Sequence, residues 1–361
     1  MATVVDTTKA SELVCRKLPI ARYLTDKLIY AGSWEISMKR LKGSLVSALL
    51  VASATLAFSS PTLGQFRPGP LTLVSHPLAG GAYWIQGDAA NTGFVVGKDG
   101  VVVIDTQRST EAARAQLAQI ASVTAKPVTT VIVTHGDPDH VGGLMAYAAG
   151  STIISHENIR AQILATARAP DGASPVLATY RAIAAERLPN RTIGETVSAT
   201  IDGVAMTLIH VAPAHSSGDI VVFLPRQKVV FVGDLLTADE ATFPIIHVGG
   251  SSEGWIRTMH AVLALKADIF VAGHGGLKTK PELRALVRQV EERRNAIKVL
   301  VYQGKTLAEI NAALPEPKVS PAFLGFNETT YFELTEGYPD ALPPWVSLAP
   351  ADHRRRSAPV H

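Results

Sequence analysis

The sequence predicts a layered α/β domain, and three observations carry that prediction. Short apolar, β-branched runs recur along the body at strand length. Segments of helical composition separate them. Four of the apolar runs end in a His or Asp, as strands do when their ends converge on one rim. The 361 residues, 47% hydrophobic and 18% charged, suffice for one large domain or two small ones. A single domain is expected from about Leu71 to Ala349.

The elements follow in order. Ala82–Asp88 (AYWIQGD), Thr92–Gly97 and Val101–Asp105 read as strands, with Lys98–Gly100 turning between the last two. Ser109–Ser122 reads as a helix, with Ser109 as N-cap and Glu111 in its first turn. Val128–Val133 fits a buried strand, Gly142–Gly150 a short helix, and Thr152–Ser155 another strand. Residues 157–187 read as helix, broken near Ala169–Pro175 (APDGASP). The second half repeats the theme. Met206–Ala212, Asp219–Pro225 and Lys228–Asp234 are expected strands, and Ser252–Leu265 a helix. Asp268–Gly273 is an expected strand, Pro281–Leu300 a long helix and Thr306–Ala313 a shorter one. The tail 350–361 has the composition of a disordered segment. No repeat period is evident.

The first 64 residues hold eight Lys/Arg and four Asp/Glu, so the basic excess of the chain sits there. The remainder has 26 basic and 27 acidic residues, with no basic stripe that would suit nucleic acid. From Met38 the order is a cationic start (Lys39, Arg40, Lys42), an apolar run Ser44–Phe58, then small and turn-forming residues. That is the layout of a secretory signal peptide over 38–64, with cleavage after Gly64 or near Ser59. The run is too short and too rich in Ser and Thr for a membrane span. Translation from Met38 would make 1–37 a product of start-codon choice; the alternative is a genuine extension. A periplasmic or secreted protein is expected, with no stable membrane insertion after cleavage. The lone Cys15 lies in that leader, so the body offers no thiolate ligand, cysteine nucleophile or disulfide.

The strand-end residues lie in VIVTHGDPDH, LIHVAPAHSSGD, VVFVGD and IFVAGH. The candidate metal ligands are His135, Asp137, Asp139, His140, His215, Asp234 and His274. A lone strand-end His or Asp is ordinarily a turn or cap residue. The cluster His135–His140 is different: burying two Asp with two His is costly unless metal or mutual pairing compensates them. Seven such residues are enough for two metals sharing one carboxylate. Ser216 and Ser217 carry no nucleophile context, since no G-x-S-x-G elbow is present.

The order of these motifs resembles the metallo-β-lactamase-fold hydrolases, whose pattern is H-x-H-x-D-H, then a distant His, a "GD" Asp and a final "GH". The resemblance covers roughly Leu73 to Lys298 and implies a four-layer αββα sandwich. It implies that His135, Asp137 and His215 hold one metal and Asp139, His140 and His274 another, with Asp234 bridging. VVVIDTQ resembles the family's first motif, which places Asp105 beside the metal loop. A hydroxide between the two metals would attack a carbonyl, phosphorus or sulfur centre, with Asp139 orienting it. Asp139 and Asp234 are thus the implied catalytic pair. His247 and Trp255 are expected at the pocket rim, whereas His76, His156, His210 and His260 read as structural or surface residues.

Asp137 departs from the pattern, which has a neutral imidazole there. A carboxylate makes the dinuclear core formally neutral, so its bound water should be less acidic. A harder oxygen donor also shifts preference from zinc towards iron or manganese. The flavodiiron branch of the fold resembles this change, having Glu there and using iron. It also carries a flavodoxin domain, for which the chain after Lys298 leaves no room. The expected cofactors are two divalent ions, zinc first. The expected function is hydrolysis of a small-molecule ester, lactone or amide, β-lactams included, with phosphoesters and sulfate esters equally compatible. The alternatives are an iron oxidoreductase of sulfur dioxygenase type and a catalytically degenerate metal-binding protein. Substrate choice is assigned to loops around 80–92, 157–190 and 240–256.

Overall fold

The computed structural model describes residues 71, 73–87, 89–170, 175–237, 243–247, 249–317 and 324–337. The expected extension 1–37, the signal segment 38–64 and the tail 350–361 lie outside the described residues. A first sheet has strands in sequence order: β1 (Val74–Pro77), β2 (Ala82–Gln86), β3 (Thr92–Val96), β4 (Val101–Ile104), β5 (Val128–Ile132), β6 (Thr152–His156) and β7 (Arg191–Ile193). It is antiparallel from β1 to β4 and parallel from β4 to β7.

The second sheet runs β13-β12-β11-β10-β9-β8. Its strands are β8 (Val197–Ile201), β9 (Val204–Ile209), β10 (Val221–Leu224), β11 (Val229–Phe231), β12 (Ile269–Val271) and β13 (Leu277–Lys278). Only β11 and β12 pair in parallel. The helices are α1 (Thr110–Val123), α2 (Pro138–Val141), α3 (Glu157–Ala167), α4 (Pro175–Glu186), α5 (Ser252–Ala264), α6 (Lys280–Tyr302), α7 (Leu307–Ala313) and α8 (Phe326–Thr335).

Strand alternation sorts the side chains into three cores, and three cores require four layers. Along β4, Val101 and Val103 point outward to Ile120 of α1, Ile159 and Ile163 of α3 and Ile183 of α4. Val102 and Ile104 point inward, where they share a core with Met206, Leu208, Val222 and Phe231 of the other sheet. On the far face Val221 and Val230 pack with Trp255, Met259, Leu283 and Val287 of α5 and α6. Strands buried on both faces read as unbroken apolar runs, which is why VVVI and VVF show no alternation in sequence. Trp255 is fully buried and its indole N–H donates to the Leu235 carbonyl at 2.9 Å. It therefore belongs to the core and not to the pocket rim: an apolar ring of this size gains more from burial than from solvent contact.

The Gly142–Gly150 segment forms only a 3-10 turn, Leu144–Ala146, instead of a helix. Gly142 and Gly143 are pressed against the backbone of Arg108 and Thr106, where a Cβ would lie 2.2 and 1.8 Å from a carbonyl oxygen. That close approach leaves no room for a side chain at either position. The short strands β1, β7, β8 and β13 and the helix α8 had no prior expectation. Among the described residues no helix is long and apolar enough to cross a membrane.

Candidate metal centre

The topology carries the site residues to one edge of the sandwich. The parallel pair β4 and β5 ends at Asp105 and at His135–His140. The parallel pair β11 and β12 ends at Asp234 and His274. β9 runs antiparallel to β10, and β10 to β11, so β9 leaves its sheet on that same edge, into the loop carrying His215.

His135, Asp137, His215 and Asp234 form one group with ligand atoms within 4.8 Å of one another, and Asp139, His140 and His274 form a second. Around Asp137 Oδ2 stand His135 Nε2 at 3.6 Å, His215 Nε2 at 3.3 Å and His247 Nε2 at 3.5 Å. Asp234 faces both groups. Its Oδ1 lies 3.1 Å from His140 Nε2; its Oδ2 lies 3.1 Å from His274, 3.8 Å from His135 and 4.0 Å from His215. Asp139 Oδ2 approaches His274 Nε2 at 3.3 Å.

The local sequence explains these positions. Asp137 is the N-cap residue of α2 and Pro138 starts that helix, yet the Asp137 side chain makes no cap hydrogen bond. An Asp at this position ordinarily caps; here its carboxylate is given to the imidazoles. Gly233 has φ 54, and a Cβ at Gly273 would meet Asp234 Oδ1 at 1.9 Å. The glycines of the GD and GH motifs are thus required by backbone sign and by space.

Three of the imidazoles are held from behind. His140 Nδ1 is 2.9 Å from Asp105 Oδ2, His135 Nδ1 is 3.0 Å from Thr134 Oγ1 and His215 Nδ1 is 2.8 Å from the Ile245 carbonyl. This leaves Nε2 of all three facing the centre, as metal-binding histidines are commonly oriented. Ser216 gives its N–H and hydroxyl to Asp219 at 2.9 and 2.8 Å, which shapes the His215 loop.

Two further residues brace the site without any local sequence signal. Asn91 Nδ2 donates to the carbonyls of Ala272 and Gly275, at 2.9 and 2.7 Å, clamping the His274 turn. Tyr180 donates at 2.6 Å to the Gly136 carbonyl inside the metal loop. The only hint of Tyr180 was a lone aromatic in an Ala-rich helix.

A cation suits this donor set. His135 Nε2, His140 Nε2 and Asp234 Oδ1 are buried without a hydrogen bond, although the last two stand only 3.1 Å apart. A buried polar atom left unpartnered costs about 1–3 kcal/mol, and a divalent ion between such lone pairs satisfies them together.

Electrostatics agree. Burial alone would raise the carboxyls of Asp137 and Asp234. The imidazoles of His247 and His135 outweigh burial at Asp137, as do those of His140 and His135 at Asp234, and hold both well below the usual range. Burial opposes protonation of His215 and His274, but the facing carboxylates push them up to about 9 and about 10. A metal competes for the same nitrogens and releases these protons.

A four-layer sandwich with seven His and Asp donors gathered at one edge forms a cluster able to bind metal ions. The chain belongs to the metallo-beta-lactamase superfamily, whose family model matches residues 85–274. It is 26% identical over 217 residues to the 2,4-dinitroanisole O-demethylase subunit alpha of Nocardioides sp. (strain JS1661), covering 59% of this chain and 61% of that one. It is 23% identical over 222 residues to a linear primary-alkylsulfatase of Pseudomonas sp. (strain ATCC 19151), covering 49% and 40%. Its fold matches a stereoselective inverting sec-alkylsulfatase from Pseudomonas sp. with a TM-score of 0.56 at 19% identity, covering 75% of this chain and 51% of that one. The chain thus spans between two fifths and about three fifths of these relatives' lengths.

Proposed function

We propose that this chain is a dinuclear metal-dependent hydrolase acting on a small organic ester. The observation that carries the reading is Asp234: one buried carboxylate faces both ligand groups, and its own Oδ1 and the Nε2 atoms of His135 and His140 are otherwise unsatisfied. When bound, a pair of divalent ions supplies an ionised water near neutral pH and stabilises negative charge on the oxygen under attack. His135, Asp137 and His215 would hold one ion and Asp139, His140 and His274 the other.

Asp139 is the most exposed of the carboxylates, with a side chain 26% accessible. Burial raises its pKa, but hydrogen bonding to His274 and the charge of His140 overcome that and lower it. Asp139 is therefore ionised at neutral pH, and its oxygen can orient or accept the proton of an incoming water at the mouth of the site.

The sequence relatives are named as an alkylsulfatase and as a subunit of a 2,4-dinitroanisole O-demethylase. Alkyl sulfates and 2,4-dinitroanisole therefore head the substrate panel, ahead of lactones, phosphoesters and β-lactams. Zinc is the first metal to load, then iron and manganese. The test is turnover of the panel by metal-loaded protein and by Asp139→Ala. Metal-dependent hydrolysis of at least one ester, lost in the variant, supports the reading; turnover of the ether 2,4-dinitroanisole alone, or no turnover with any of the three metals, contradicts it. Export is part of the same proposal, supported by the Lys39–Phe58 pattern. An N-terminus found by mass spectrometry between Ser59 and Gln65 on protein recovered outside the cytoplasm would support it; an intact Met1 or Met38 on that protein would oppose it.

A further inference from the structure

We propose that His247 is a third imidazole ligand of the first metal, supplying from a separate loop the nitrogen donor that Asp137 displaces from the His135–His140 cluster. The proposal rests on the dinuclear reading above and assigns one more residue to it.

The His247–Asp137 distance is long for a hydrogen bond and leaves room for an ion between the two. Three Nε2 atoms, of His135, His215 and His247, surround Asp137 Oδ2 at 3.6, 3.3 and 3.5 Å. An N–H···O hydrogen bond to a carboxylate is shorter, about 2.7–2.9 Å. Donors bound about 2.1 Å from one ion at tetrahedral angles stand about 3.4 Å apart. The His247 spacing to Asp137 is that of one edge of a coordination polyhedron; His247 stands outside the group whose four donor atoms already lie within 4.8 Å of one another, so its ring closes on the ion when the metal binds.

The loop of His247 is set before any metal arrives. The His247 N–H donates to the His215 carbonyl at 2.7 Å, and the Ser251 N–H to the Ala214 carbonyl at 2.9 Å. The Gly250 N–H closes back on the His247 carbonyl at 2.8 Å. The two rings pack at 4.4 Å with 49° between planes. Ser251 is the N-cap of α5, and its hydroxyl is bound at 2.8 Å by Glu333 of α8. Folding therefore carries the ordering cost of this ligand, as a rigid metal site requires. Three nitrogens with the carboxylates of Asp137 and Asp234 form a mixed donor set that zinc accepts, which offsets the pull of Asp137 towards harder metals.

The test uses cobalt(II) as the probe in a His274→Ala background, which isolates the first site. X-ray absorption should count three imidazoles there, and two after adding His247→Ala. Cobalt affinity should fall by more than the roughly 10–100-fold typical of a lost outer-shell partner. In the otherwise native chain, His247→Ala should keep the second equivalent, which shows that the fold survives. An unchanged imidazole count and affinity in the His247→Ala variant overturns the proposal while leaving the dinuclear reading standing. A native chain that takes up no cobalt overturns both.

Discussion

Asp105 and His140 are joined across 2.9 Å, Oδ2 to Nδ1, and the same carboxylate accepts from the Thr134 N–H at 2.8 Å and the Thr134 hydroxyl at 2.7 Å. One side chain at the end of β4 thus orients the loop at the end of β5. Its backbone sits at φ 60, a region in which Asp is tolerated but disfavoured. Backbone strain of this kind is retained where the surroundings fix the residue for a purpose.

Asp105→Asn keeps the shape and removes the charge behind His140. Cobalt or zinc affinity at the second site should fall about 10–100-fold, as for other outer-shell partners, with the first site little changed. Calorimetric titration of both equivalents checks this.

Asp137→Ala should lose the first metal and the activity that depends on it, while Asp137→His should retain metal, since an imidazole fits the same donor role. Metal stoichiometry after dialysis separates the two. Hydrolysis at the parental rate by the alanine variant would show that Asp137 is not a ligand.

Gly273→Ala should displace the Asp234 carboxylate, because the added Cβ would fall 1.9 Å from Oδ1. Both metals should bind more weakly, with folding retained to within about 1–3 kcal/mol, the usual cost of overpacking. Denaturant titration and metal titration on one preparation decide it.

His156 supplies a pH dependence away from the metals. Burial lowers its pKa first and the neighbouring His210, its ring 4.0 Å away, lowers it further; the Gly194 carbonyl, Glu157 and Asp219 oppose this. A histidine depressed in the folded state contributes stability that is present above its unfolded pKa, about 6.5, and is lost as pH falls through the lower folded value. Metal-free protein should therefore lose stability below about pH 6.5, and His156→Gln should flatten that dependence. Denaturation midpoints at neutral and acidic pH, parent against variant, measure it.

Much of the centre was legible because its residues follow apolar runs: THGDPDH, GD and GH each sit where a buried strand stops. Ser109 likewise announced α1, and its hydroxyl accepts from the Ala112 N–H at 3.2 Å. What could not be read depends on distant contacts. Asn91 lies more than 180 positions from the carbonyls it clamps, and Trp255 resembled a rim residue until the packing of α5 against α6 placed it in the core. β8 has no apolar run to mark it, since its half-buried residues alternate with exposed ones. α8 is mixed in composition, and distant contacts hold it in place: Phe326 packs in the core beside α5 and α6, Asn327 donates to the Leu314 carbonyl and Glu333 reaches the start of α5.

The account stands on the pairing of two ligand groups through Asp234, and elemental analysis of protein loaded with zinc and dialysed free of excess tests it most directly. The account predicts about two zinc ions per chain, each bound through the Nε2 and carboxylate donors described, and loss of both in Asp234→Ala. A parent chain that retains no zinc, iron or manganese, or an Asp234→Ala variant that retains both ions, would contradict it.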